Sequence, residues 1–134
     1  MIRSGSRASR PAGLIGLAVI ELLEALGLVV LTVLVVVGAS GKYPLQTFGV
    51  AGTVLVLAAL LVGVAVGALR GSPWTRTAGL VWHVVQILIG LYSLTGAGAA
   101  VGVAVITIVP AVVVIVLLFT RPVQEALARS AGAS

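Results

Sequence analysis

Apolar positions along the chain fall into four long blocks separated by short polar breaks: Leu14 to Val37, Phe48 to Leu69, Trp74 to Leu94 and Gly98 to Phe119. Each block is close to the roughly 20 residues a helix needs to cross the hydrocarbon core of a bilayer. The blocks are rich in Val and Ile, which favour strands in water. In lipid each segment has to satisfy its own backbone hydrogen bonds, so helices are expected instead. The breaks carry residues that end or start helices. The first, SGKYPLQT, holds Gly41 and Pro44, and the second, RGSPWTR, offers Ser72 as an N-cap and Pro73 as a first-turn residue. The third, TGAG, is short enough to force a tight hairpin between the third and fourth helices. The pattern predicts an all-α, four-transmembrane-helix bundle over residues 14–119, running up-down-up-down. A basic tail (1–13) precedes it, and a short tail (120–134) with a helix starting at Pro122 follows.

Composition strengthens this picture. Apolar residues make up 60% of the 134 and charged residues only 8%, with a mean hydropathy of +1.29. A soluble domain carries about a quarter charged residues, so this chain lacks a polar shell and its expected solvent is the lipid bilayer. The formal charge is +5, but the basic residues stand singly at the ends of apolar blocks, where they anchor helices. No nucleic-acid partner is expected. Arg3, Arg7, Arg10, Arg70, Arg76, Arg121 and Arg129 fall on one side of the predicted membrane and Lys42 alone on the other. The side richer in Lys and Arg is cytoplasmic, which predicts both termini inside, with Trp74 and Phe119 at the inner interface and Tyr43 and Tyr92 near the outer one. The preponderance of Arg over Lys, with heavy use of Ala, Val and Gly, points to a high-GC bacterial genome and a multi-pass protein of the bacterial plasma membrane. The first block is too long for the apolar part of a signal peptide and carries two Glu, so cleavage is not expected.

The few polar residues inside the blocks are patterned. On the third, Arg76, Gly79, His83, Gln86, Gly90 and Ser93 recur at steps of three and four, within an arc of about 100° on a helix. Such a stripe of small and polar residues faces another helix rather than lipid. The first block carries Glu21 and Glu24, with Thr32 on nearly the same face. Glu21 lies about 16 Å past Arg10, and Gln86 about 15 Å past Arg76, at 1.5 Å rise per residue. The carboxylates and the His/Gln pair therefore share one slab of the membrane, where an unpaired charge is costly. The arrangement expected is Glu21 facing His83 and Gln86, either ionised beside a protonated His83 or neutral and hydrogen-bonded to Gln86. Two roles stay open: fixing helix register, or holding a proton or ligand.

Gly63 and Gly67 on the second block, and Gly98 and Gly102 on the fourth, form GxxxG pairs. With Gly79 and Gly90 they are the expected positions of close helix packing. Pro110 removes a backbone hydrogen bond and is expected to kink the fourth helix, with Thr107 helping to satisfy the freed carbonyl region. There is no Cys, which excludes disulfides and thiolate sites. With a single His, neither a metal site nor a cofactor is expected.

Ala18-Val-Ile-Glu21, or Leu22-Leu-Glu24, in the first of four short spans resembles the small multidrug resistance transporters. That resemblance implies a first-span Glu binding protons and cationic drugs in a dimer, and it covers this motif alone. In its overall layout the chain is similar to small four-span integral membrane proteins of high-GC bacteria: an Arg-rich tail, Gly71-Ser72-Pro73-Trp74 before the third span, and helices of Ala, Val and Gly. This second resemblance implies no activity. With no nucleophile–base set, phosphate loop or metal spacing, the chain is expected to be no enzyme but an accessory or structural membrane component, alone, as a homo-oligomer or in a larger membrane complex. The alternative is a small proton-coupled transporter using Glu21, Glu24 and His83.

Overall fold

The computed structural model describes residues 10–39, 41–96 and 100–131. Among them all regular structure is helical: α1 (Ala12–Gly38), α2 (Pro44–Leu69), α3 (Trp74–Ser93), α4 (Ala100–Leu118) and α5 (Arg121–Ala131). Three helices are long and apolar enough to cross a membrane: α1, α2 and Val101–Leu118 of α4. The 20 residues of α3 do not join them, because Arg76, His83 and Gln86 dilute the apolar content. Gly98, the start of the fourth predicted span and the outer parts of both tails lie outside the described residues.

Prolines mark the helix starts. Pro44, expected as a breaker, instead opens α2; a first-turn residue needs no N–H partner and its φ is already helical. Pro122 sits at the second position of α5. Pro73 takes the N-cap position of α3, and no side chain caps that helix, Ser72 included. At its other end α2 closes in a Schellman motif. Gly71 has φ +71°, its N–H donates to Ala68 O at 2.9 Å, and Ser72 N–H donates to Gly67 O at 2.8 Å. A left-handed residue at this point suits Gly because no Cβ clashes.

α1 packs mainly along α2, and α3 mainly along α4. The backbones of α1 and α3 stand apart and are bridged by long side chains. One apolar layer joins Leu14 and Leu17 to Ala68, Val114 and Leu118, and α5 lays Val123 and Leu127 onto it. A second layer holds Ala25, Ala58 and Leu61, with Trp82 packed against it. Glu21 lies between these layers in the α1 sequence. The outward surface is widely apolar, with Leu34, Val56 and Ile106 all well exposed.

Glycine matters where helices cross. A methyl group at Gly90 would come within 2.5 Å of both Ile108 and Thr107, and one at Gly67 within 2.6 Å of the Thr75 hydroxyl. Gly79 lies under Leu118 and Glu21, and Gly63 makes only ordinary contact with Trp74. Gly63 and Gly67 thus face α3 of the same chain. Gly102 departs from the expected packing role: a methyl there would meet no described heavy atom within 4 Å. The GxxxG spacing put it on a contact face, but α4 turns that face away from its neighbours. α4 continues through Pro110. The Thr107 hydroxyl donates to Val103 O at 2.9 Å and Ala104 O at 3.1 Å, not to the Ile106 carbonyl that Pro110 leaves without its i+4 donor. A Thr side chain in a helix reaches back to its own i−3 and i−4 carbonyls, not forward.

Candidate functional site

α1 and α3 each bring a short polar segment to the interior at the same level. From α1 come Glu21 and Glu24, one turn apart; from α3 come Gly79, Trp82, His83 and Gln86. Glu21 and His83 are fully buried. The Glu24 side chain retains 12% exposure. His83 Nε2 lies 3.8 Å from Glu21 Oε1 and 3.6 Å from Glu24 Oε2. These are close approaches of charged groups but longer than hydrogen bonds.

The hydrogen bonds around this centre set its chemistry. His83 Nδ1 is 2.6 Å from Gly79 O. A carbonyl only accepts, so Nδ1 carries the hydrogen. In the neutral ring this leaves Nε2 as a bare lone pair aimed at two carboxylates. Glu24 is held at both oxygens: Gln86 Nε2 donates to Oε1 at 3.0 Å and Trp82 Nε1 to Oε2 at 3.3 Å. Glu21 differs. Neither of its oxygens has a hydrogen-bond partner among the described residues, and neither does His83 Nε2. Buried polar atoms are nearly always paired. Here Glu21 Oε1 and His83 Nε2 face each other at 3.8 Å with no donor between them among the described residues; Thr75 Oγ1 and Gln86 Oε1 are likewise buried without a partner there.

Of the residues predicted to meet, Glu21, Glu24, His83 and Gln86 are brought together, but the pairing differs from expectation. Gln86 serves Glu24, not Glu21. Gln86 lies nearly a turn beyond His83, as Glu24 does beyond Glu21, so the deeper residues of each helix pair with one another. Thr32, though buried, hydrogen-bonds to its own helix at Leu28 O, 2.9 Å away, and takes no part. At the ends of the α3 stripe, Arg76 is drawn to the Phe119 ring, 5.3 Å from its centroid. Ser93 donates to Gly90 O at 2.7 Å. Trp82 is a contact of Glu24 that lies outside the α3 stripe, because it sits one position to the side. The available signal was its indole N–H, which needs a partner once buried.

One ligating atom from each of Glu21, Glu24 and His83 lies within 4.8 Å of the other two. This is a possible metal-holding group where the lone His of the sequence pointed to none. Beside it runs an apolar cleft of about 490 Å³ between α1, α3 and α4, with Leu23, Leu28 and Pro110 among its walls and Glu24, Gln86 and Thr107 as its polar groups. Glu24 is therefore reachable from the cleft, while Glu21 is sealed behind it.

No known protein family, curated protein or solved structure matches the chain. Its function is therefore read from this site.

Proposed function

We propose that the protein is a small proton-coupled transporter of the bacterial plasma membrane. In this reading it forms a four-helix transmembrane bundle, running up-down-up-down with both termini cytoplasmic. The orientation rests on the Arg residues gathered at one end, and the membrane on the three long apolar helices. α3 is the fourth span, tolerated in lipid because its polar stripe is turned inward. One observation carries the transport reading: Glu21 is wholly buried and neither of its oxygens has a hydrogen-bond partner among the described residues, while His83 Nε2 lies 3.8 Å from Oε1. Glu24, by contrast, is satisfied at both oxygens by Trp82 and Gln86. Intramembrane carboxylates and imidazoles facing one another are the usual parts of proton relays. In this reading Glu24 meets the cleft, Glu21 and His83 hold the transported charge, and the role is non-enzymatic.

The test is flux in proteoliposomes holding a pH-sensitive dye, with an imposed proton gradient. Wild type is expected to dissipate the gradient when a co-transported cation is supplied, and Glu21→Gln and Glu24→Gln to abolish that activity. Full activity in both variants would remove the proposal. A second reading, an accessory or structural component in a homo-oligomer or larger complex, is favoured by the apolar cleft, whose walls suit a helix from another chain. Recovery of the protein from mild detergent as a free monomer counts against it.

A further inference from the structure

We propose that Glu21, Glu24 and His83 form a binding site for a divalent transition-metal ion of the zinc class. This rests on the transporter reading only in naming the cation its central site takes. Four features carry it. The first is convergence: a Zn²⁺ bound at about 2.0–2.2 Å to nitrogen and oxygen ligands needs ligand atoms about 3.4 Å apart, and the gaps from His83 Nε2 to the two carboxylates are 3.8 and 3.6 Å. Shifts of a few tenths of an ångström close these two gaps; the two carboxylates, whose ligating oxygens lie within 4.8 Å of each other, close theirs by side-chain rotation.

The second feature is tautomer. The Nδ1 hydrogen is committed to Gly79 O at 2.6 Å, which presents Nε2 as a lone pair. A metal-ligating His typically donates its other ring N–H to a carbonyl or carboxylate in this way. The third is outer support. Trp82 and Gln86 each donate to one oxygen of Glu24 and fix that carboxylate, as partners of a ligating carboxylate do. The fourth is a pair of buried atoms, Glu21 Oε1 and His83 Nε2, that face each other at 3.8 Å and have no hydrogen-bond partner among the described residues. These are free lone pairs on fully buried side chains.

Charge and ligand type narrow the ion. Two carboxylates and a neutral imidazole are neutralised by one divalent cation, and a neutral site is what a low-dielectric interior tolerates. No ionisable residue occurs in α4, nor in α2 up to Leu69, so nothing else on those helices supplies the compensating charge. An imidazole with carboxylates suits zinc-class ions better than Mg²⁺ or Ca²⁺, which prefer all-oxygen sets, and the absence of thiol or thioether ligands disfavours Cu(I). Three protein ligands leave a fourth position open to water or another ligand. Glu24, at the cleft, is the edge through which the ion enters.

The experiment is a zinc titration of the full-length protein in mild detergent, with any affinity tag removed and prior dialysis against a chelator. One Zn²⁺ per chain is expected. Glu21→Gln and His83→Gln should weaken binding at least tenfold, and Gln86→Leu, which leaves all three ligands in place, by about 10- to 100-fold. Far-UV circular dichroism checks that each variant keeps its helices. A second measurement needs no variant: Co²⁺ added to wild type should give the visible absorption of a low-coordinate nitrogen–oxygen site, and Zn²⁺ should displace it. Absence of stoichiometric Zn²⁺ and Co²⁺ binding by helical wild type would overturn the proposal, as would unchanged affinity in both ligand variants. Proton flux without metal binding sinks the metal site and leaves the transporter reading intact. Metal binding without flux supports the site and sinks the transporter reading.

Discussion

Glu21 and Glu24 sit one turn apart on the same helix, yet their removal should have different effects on stability. Glu24 accepts hydrogen bonds from Gln86 at 3.0 Å and Trp82 at 3.3 Å. Replacing it with Met, of similar length, leaves both donors unpaired. Interhelical hydrogen bonds in membranes contribute about 0.6 kcal/mol on average and up to about 1.7 kcal/mol. Glu24→Met should therefore destabilise the protein by about 1–3 kcal/mol. Glu21 accepts no hydrogen bond from the described residues, and both its oxygens are buried. An unsatisfied buried polar group costs about 1–3 kcal/mol, and a swap that preserves volume adds little strain. The lost attraction to His83, 3.8 Å away, offsets part of the gain. Glu21→Met should leave stability unchanged or raise it by about 1 kcal/mol, while abolishing proton flux. The assay is unfolding in mixed micelles of mild detergent and dodecyl sulfate, followed by far-UV circular dichroism on chelator-treated protein. If Glu21→Met unfolds as readily as Glu24→Met, then Glu21 has structural partners and the functional reading of its burial is wrong.

Other perturbations test the packing and the topology. Gly90→Ala drives a methyl to within 2.5 Å of Ile108 and Thr107 and should destabilise by about 1–3 kcal/mol through overpacking; thermal melts in detergent read it. Gly102→Ala meets nothing within 4 Å and should be neutral or stabilising by up to about 1 kcal/mol on the same assay, since Ala favours a helix over Gly. Val123→Ala removes buried apolar surface between α5 and the first apolar layer; it should cost about 1–2 kcal/mol and speed hydrogen exchange across α5, whereas unchanged exchange would mean α5 is held by something else. Because the chain has no Cys, single-cysteine labelling reports topology on a clean background. Lys42→Cys and Thr95→Cys should react with an impermeant maleimide from outside intact cells, and Ser72→Cys only after permeabilisation; the reverse pattern would invert the proposed orientation.

Much of the architecture was legible in the residues because lipid imposes simple conditions. A chain with so few charges needs an apolar solvent, and in that solvent backbone groups bond within their own segment, so long apolar blocks become helices wherever they pack. Boundaries followed from Pro and Gly, except that Pro44 opens a helix and Pro73 takes the N-cap place expected for Ser72: a breaker of one helix is equally a starter of the next, and only the neighbouring residues decide between them. The α3 stripe was readable for the same reason. Gly79, His83, Gln86 and Gly90 are all buried, as helical periodicity requires when one face meets protein.

Periodicity says which face a residue occupies, but not which neighbour that face meets. The GxxxG rule could not separate Gly67, pressed against α3, from Gly102, turned to open space, because both patterns are identical along the chain. Nor could it place Trp82, which joins the site from the flank of the stripe. The amino-acid sequence alone determined that the helices are apolar, where they break, and that two carboxylates and one imidazole share a depth. Only the tertiary structure decided that Gln86 and Trp82 hold Glu24 while Glu21 and His83 Nε2 are left facing each other with no hydrogen bond from the described residues. That difference is a matter of a few ångströms between separate helices, set by how α1 and α3 stand across the interior, and no spacing within either helix contains it.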